Sequence, residues 1–435
     1  MRNFKKAALA VAATGLVLTG VQAPSYAAAP TEITVWAMCN ETGEIAAAKE
    51  QTAAFNEVNS DKYHATLTCK ANMADTLKAT SASDLPSVFE FDGETLGSMV
   101  FAGKLGKLNG VVDPKVLRNE LVSIQAEGKY SDGNTYSVSQ YDSGLALYGN
   151  KKMLAAAKIS YPTTWNKAWT AAQFTKVLAA LAAKAPGKKA IDFKENYGIG
   201  GGWAGYAFTD VVNSAGSQLV NYKTHKAMGN MNSAKAIAAV KTWATWKRYS
   251  DPSADDKAFS SKRVALAWVG HWAYPAYKAA LGKDLVVIPL PNFGMGTKSG
   301  QGSHSWGMSA RVSGAEQAGA AAYLNYIEQD KWINNVTDQN GAVPATKTSL
   351  VRNVNYQKGG DLYLYGQQLA ASCGIGALTK KCVTVPRTIS PAWPVIGSQF
   401  SKAMGAIWAG GDAKTELTKA AAAIDQDAAD NGYYN

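Results

Sequence analysis

The sequence predicts an α/β protein built from two doubly wound lobes. Three observations carry this. The chain has 435 residues, more than one core supports at about 100–200 residues per domain, so two lobes are expected. Strand-like apolar runs alternate with helix-periodic stretches through its first part, which is the signature of a parallel, doubly wound sheet. The composition is 47% hydrophobic and 18% charged, as in a globular protein, with 12 Trp and 20 Tyr. So many indoles imply stacking surfaces as well as core.

The elements follow in order. Residues 32–38 (EITVWAM) read as a buried strand and residues 41–59 as a helix, with Ile45, Ala48, Thr52, Phe55 and Val58 on one face. A strand at 63–69, a helix at 73–80 and a strand at 87–91 come next. Ligands of such sheets bind beyond the carboxyl ends of the strands, which here carry Asn40-Glu41 and Phe91-Asp92-Gly93. Strands at 136–140 and 145–148 flank Tyr141-Asp142-Ser143-Gly144, a polar kink suited to a crossing between lobes. Residues 162–165 are expected to cap a helix with Phe174, Val177, Leu178 and Leu181 inward. The glycines before Trp203 and Tyr206 read as flexible backbone presenting two aromatics. Helices are expected at 233–249, with Trp243 and Trp246 in the core, and at 315–329 and 415–429. Gly341-Ala342-Val343-Pro344 reads as a further crossing. The most informative stretch is 264–291: a strand ending in Gly270-His271-Trp272, a short helix, then LVVIPLP. Ser303-His304-Ser305-Trp306-Gly307 follows, and the two clusters are expected on opposite walls of one groove.

Residues 1–27 read as a secretory signal peptide: Arg2, Lys5 and Lys6 lead an apolar run at 7–20 too short to span a bilayer, and Ser25-Tyr26-Ala27 offers small cleavage residues. A membrane anchor, the alternative, is disfavoured by that short run and by Pro24. Leu18-Thr19-Gly20-Val21 has the form of a lipobox with valine where the lipidated cysteine would stand, so no anchor is expected there. An exported, extracellular or periplasmic protein is expected.

The formal net charge is +11, or +8 without Arg2, Lys5 and Lys6. The lysines are scattered, with no run of five, so a solubilising surface or attraction to an acidic envelope is expected and nucleic acid is not. Four cysteines, Cys39, Cys69, Cys373 and Cys382, allow three pairings. Export favours disulfides, and Cys39–Cys69 with Cys373–Cys382 is favoured because each pair lies in one local unit. A zinc site would want CxxC spacing and nearby histidines, so neither metal nor cofactor is expected.

Several short stretches, in order, resemble the extracellular solute-binding proteins of carbohydrate ABC importers, the family that includes maltose-binding protein. They are Ile33-Thr34-Val35-Trp36, Pro86-Ser87-Val88-Phe89, Asn134-Thr135-Tyr136-Ser137-Val138, Leu145 to Lys151, Tyr161-Pro162-Thr163-Thr164-Trp165, Phe259 to Leu266, Gly270-His271-Trp272 and Gly341 to Ala345. The resemblance implies a periplasmic-binding-protein-like fold whose lobes, joined by a multi-segment hinge, close on a sugar. Lobe 1 would comprise residues 28–140 and 285–340, and lobe 2 residues 141–284 and 341–435. By position it implies sugar-facing Asn40, Glu41 and Asp92 on one lobe, Tyr141 and Asp142 at the crossing, Trp203, Tyr206 and Trp272 on the other, the His304–Trp306 turn, and more weakly Arg387 and Trp393. The chemistry is coherent: rings cover the CH faces of a sugar while carboxylates and arginine take its hydroxyls in pairs.

The expected function is capture of a mono- or oligosaccharide and delivery to an ABC permease, by a monomer. The alternative is a binder of a peptide or polyamine. A secreted glycoside hydrolase is a minor alternative, because paired carboxylates such as Glu41 and Asp92 suit that chemistry, as is a structural or adhesive surface protein. HExxH, GxSxG and P-loop motifs are absent, and GIGGGW lacks the third glycine of a dinucleotide fingerprint.

Overall fold

The computed structural model describes residues 29–38, 42–373 and 376–434. The leader and lipobox readings, and those on Cys39, Asn40 and Glu41, lie outside these residues.

Two five-stranded sheets organise the chain. The first has the order Tyr63–Lys70, Thr31–Met38, Val88–Asp92, His304–Met308, Ser137–Val138. Its first three strands are parallel, and His304–Met308 runs antiparallel to both neighbours. The second has the order Leu285–Ile288, Leu145–Asn150, Leu266–Gly270, Ile191–Asp192, Ser250–Asp251. It is antiparallel at one end and parallel at the other. The sheets are therefore mixed rather than wholly parallel, each admitting antiparallel strands from distant parts of the sequence.

Each sheet is packed into its own core. Ile33, Val35, Phe55, Trp306, Tyr323 and Leu324 pack over the first, where the helix Gly314–Ile327 lies against it. Trp243, Trp246, Trp268, Phe193 and Phe208 anchor the second, which confirms the core reading of Trp243 and Trp246. Short pairs link the two. Tyr141–Asp142 pairs antiparallel with Val343–Pro344, and Ser299–Gly300 pairs parallel with Thr384–Val385. The chain thus crosses between sheets at 139–144, 289–303 and 341–346.

Three expectations need correction. The strand Leu285–Ile288 belongs to the second sheet, paired with Leu145–Asn150, so the boundary expected at 285 lies further on. The apolar run completes that sheet's edge, and Pro289 and Pro291 then end the pairing because proline donates no N–H. The helix Ala171–Lys184 is capped by Thr170, in a reciprocal box with Gln173, and residues 165–167 form a separate turn. The glycines at 200–202 lead into a helix, Gly202–Ala207, rather than a flexible loop. Small residues let this segment press on the helix Trp393–Trp408: a Cβ on Gly405 would lie 2.7 Å from Gly200 Cα.

Candidate functional site

A cleft of about 600 Å³ opens between the sheets, lined from both sides. One wall is aromatic. The strand Leu266–Gly270 ends where Trp272 folds back over it; a Cβ at Gly270 would sit 2.0 Å from the indole, so only glycine permits this fold-back. Trp272 lies 6.1 Å from Trp203, edge-on, and 6.1 Å from Tyr206, tilted. Trp203 Nε1 donates to the Phe193 carbonyl at 3.0 Å, and Tyr206 shares a 2.9 Å hydrogen bond with Ser143. Tyr197 abuts Trp203 at 5.4 Å. The rings are thereby held as a rigid apolar plate.

The facing wall is polar. Register places His304 opposite Asp92 and Trp306 opposite Glu90, so the four share one face of the first sheet. His304 Nδ1 lies 2.7 Å from the Tyr141 hydroxyl and 3.2 Å from Glu90 Oε1, and Nε2 lies 3.7 Å from Asp92 Oδ1. Tyr141 donates to Glu44 Oε1 at 3.3 Å, as does Asn340 at 3.0 Å. The Met38 N–H donates to Glu90 Oε2 at 2.6 Å. Burial pushes His304 down, but the hydrogen bond and charge of Glu90, with Glu44 and Asp92, carry it up to about 10. Burial in turn pushes Glu90 above the usual carboxylate range. Within this pair the imidazolium holds the proton at neutral pH, because three carboxylates attract it.

His271 is the opposite case. Burial lowers it to about 4. The ring is neutral, its Nδ1–H donates to the Asn340 carbonyl at 3.1 Å, and Nε2 remains an acceptor.

Arg387 ties the walls together. Its guanidinium pairs with Glu94 of the polar wall, Nε donates to the Gln301 carbonyl at 2.8 Å, and the group lies 4.6 Å over the Tyr206 ring of the aromatic one. Gly302 makes room for it, since a Cβ there would be 1.7 Å from Arg387 Nη2. Beneath, Ser303 Oγ donates to Glu127 Oε2 at 2.9 Å, and burial pushes Glu127 up to about 8. The arm bearing Arg387 is braced by the disulfide Cys373–Cys382 and by Lys298, whose buried ammonium donates to the Met295, Thr379 and Cys382 carbonyls at 2.6, 3.0 and 2.8 Å. Cys69 is also disulfide-bonded.

Asp92, Tyr141, Trp203, Tyr206, Trp272, His304 and Arg387 thus meet at one cleft. Three expected residues do not. Asp142 is fully buried, accepting from Ser143 N at 2.7 Å, because adjacent residues of an extended crossing face opposite ways. Trp306 shares His304's face but lies further under the sheet, packed near Tyr323 in the core. Trp393 starts the helix Trp393–Trp408 and packs behind Tyr206, lining a void of about 20 Å³ rather than the cleft. The cleft also gains Glu44, Glu94, Tyr197, Asp256, His271 and Gly302. Glu94 stands two residues past Asp92, and that proximity was its only sequence signal; His271 belongs to the Gly270-His271-Trp272 cluster expected on one wall, though not singled out as a contact; Asp256 had no signal.

Two lobes around a cleft, joined by three crossings, define a binding protein of the two-lobed type. The chain belongs to the bacterial extracellular solute-binding protein family, whose model matches residues 50–361. Among solved structures it is similar to the cyclic alpha-maltosyl-1,6-maltose binding protein of Arthrobacter globiformis, with 19% identity, TM-score 0.72, and coverage of 91% of this chain and 98% of that one. An ABC substrate-binding protein from Listeria monocytogenes in complex with cycloalternan gives 17% identity, TM-score 0.73, and 92% and 99% coverage. The sugar-binding protein MalE of Xanthomonas citri gives 17%, 0.69, and 93% and 98%. No curated protein sequence matches the chain. No helix among the described residues is long and apolar enough to cross a membrane.

Proposed function

We propose that this protein captures a mono- or oligosaccharide between its lobes and hands it to the membrane permease of an ABC importer. The observation that carries the reading is the division of the cleft into an aromatic plate, Trp203, Tyr206 and Trp272, and a facing polar wall of Asp92, Glu44, Tyr141 and His304. A sugar ring presents an apolar face and a hydroxyl rim, and this pair of walls matches both. The names of the similar structures, a maltose-type binder, a cycloalternan complex and a sugar-binding protein, support the same reading.

In the proposed mechanism the sugar docks on the plate and the polar wall closes over it by rotation about the three crossings. Its differential affinity for the closed form drives the closure. Residues 28–140, with 303–340, and residues 145–288, with 347–435, are proposed as the moving bodies. The carboxylates are assigned to hydroxyl binding, not to hydrolysis, and the protein acts as a monomer released without a lipid at Val21. Titration of tryptophan fluorescence against mono- and oligosaccharides tests the binding. Saturable change with a sugar is expected; response to peptides or polyamines alone overturns the reading, and cleavage products after incubation revive a hydrolase.

A further inference from the structure

We infer that the cleft is built for a glycan bearing a protonated amino group, and against glycans bearing carboxylate or sulfate. This rests on the sugar-binding reading above and specifies its ligand.

The argument is an inventory of donors and acceptors around the cavity. Its cations are already committed. Arg387 is held by Glu94, the Gln301 carbonyl and the Tyr206 ring. His304 is held by Glu90 and Tyr141. Lys194, beneath Asp256, is held by Asp256 at 2.7 Å and Asp192 at 3.4 Å. Among the described residues lining the cleft, no cation is left without an acidic partner.

Acceptors are in surplus. Asp92 has a side chain 31% exposed, and its ion pair with His304 Nε2 is long, at 3.7 Å. Glu44 lines the same wall, as does His271, whose Nδ1–H is spent on the Asn340 carbonyl and whose Nε2 is left as an acceptor. Two of the neutral donors are spent elsewhere: the Trp203 N–H on the Phe193 carbonyl and the Tyr141 hydroxyl on Glu44.

A carboxylate or sulfate brings acceptors only. Among the described residues it would find no cation free of an acidic partner, and to claim one it would have to break the buried Arg387–Glu94 pair, leaving Glu94 uncompensated. An ammonium brings three donors and a charge to Asp92 and Glu44. The acidity is local, since the chain as a whole carries a formal +11. An overall cationic surface would draw acidic glycans in, yet the cleft opposes them, so the selectivity lies in the site itself.

The test is binding of the whole exported chain, at pH 6, to an array of oligosaccharides that are neutral, N-acetylated, free-amine, uronic or sulfated. The strongest binders are expected to carry a free amine. Their affinity should drop several-fold between 50 and 500 mM NaCl, while neutral sugars hold steady. Asp92→Asn, which keeps the shape, should weaken a free-amine glycan at least tenfold and its N-acetylated counterpart less than threefold. Best binders that are amine-free or acidic would overturn this inference and leave the sugar reading standing. A response to spermidine or peptides with none to any glycan, or no response at all, would overturn both.

Discussion

At the scale of single residues, the plate and the buried acids carry separable effects. Trp272 is only partly buried, so Trp272→Ala should leave the melting temperature nearly unchanged while removing a stacking surface. Loss of one aromatic face costs about 1.5–3 kcal/mol of binding, roughly ten- to hundredfold in Kd by calorimetry. Glu127 acts on stability instead. Its folded pKa of about 8 lies above the usual carboxylate value, so the folded state binds more protons and stability falls as pH rises through that range. His304 works in the same direction. It stabilises fully below its ordinary value near 6.5, and that contribution is lost as pH rises toward about 10. Thermal melts should therefore show a lower midpoint at pH 9 than at pH 6. Glu127→Gln, which keeps the shape without the charge, should narrow that gap by raising the midpoint at pH 9 and changing it little at pH 5.

At the scale of elements, caps and braces set what is rigid near the cleft. Thr170→Ala removes one side of the capping box of Ala171–Lys184 and should cost about 1 kcal/mol in urea unfolding. Opening the Cys373–Cys382 bridge by double serine substitution frees a loop with a sequence separation of 9, worth about 2–3 kcal/mol by chain entropy. The larger consequence falls on the arm that runs from Cys382 through Thr384–Val385 to Arg387. Affinity should fall along with stability, whereas the capping variant should lose stability alone. These elements also show what was legible in the sequence. Long segments such as Gly314–Ile327 and Ala413–Asp430 were readable, because alanine-rich runs without proline favour helix by local propensity, whatever they pack against. The membership of Leu285–Ile288 was not, since an apolar run says nothing of which sheet it joins. Asp92 and His304 were legible because one ends and the other begins a strand, and Trp272 because it follows directly on the end of one. Trp306 and Trp393 misled because an indole reads alike in core and cleft, and only the covering helix or the packing behind Tyr206 decides. Glu44 and Asp256 enter through tertiary packing that no local pattern encodes.

At the scale of the whole molecule, the ion pair between Arg387 and Glu94 spans the two walls, since Arg387 lies on Tyr206 of one and reaches Glu94 of the other. The pair thereby favours the closed form. In the proposed two-state opening about 139–144, 289–303 and 341–346, the pair would bias the equilibrium by its own free energy. Glu94→Gln weakens the tie without changing its volume. Small-angle scattering should then show a larger radius of gyration for the free variant than for the free parent, and equal radii at saturating sugar. The apparent Kd should rise in proportion to the lost closed fraction, because affinity is scaled by the population competent to bind. At a ligand concentration of 100 Kd the parent gains about 2.7 kcal/mol, which a thermal shift reads directly. Equal radii for the two free proteins, with weaker binding by the variant, would instead make Glu94 a ligand contact and leave the lobes without this tie.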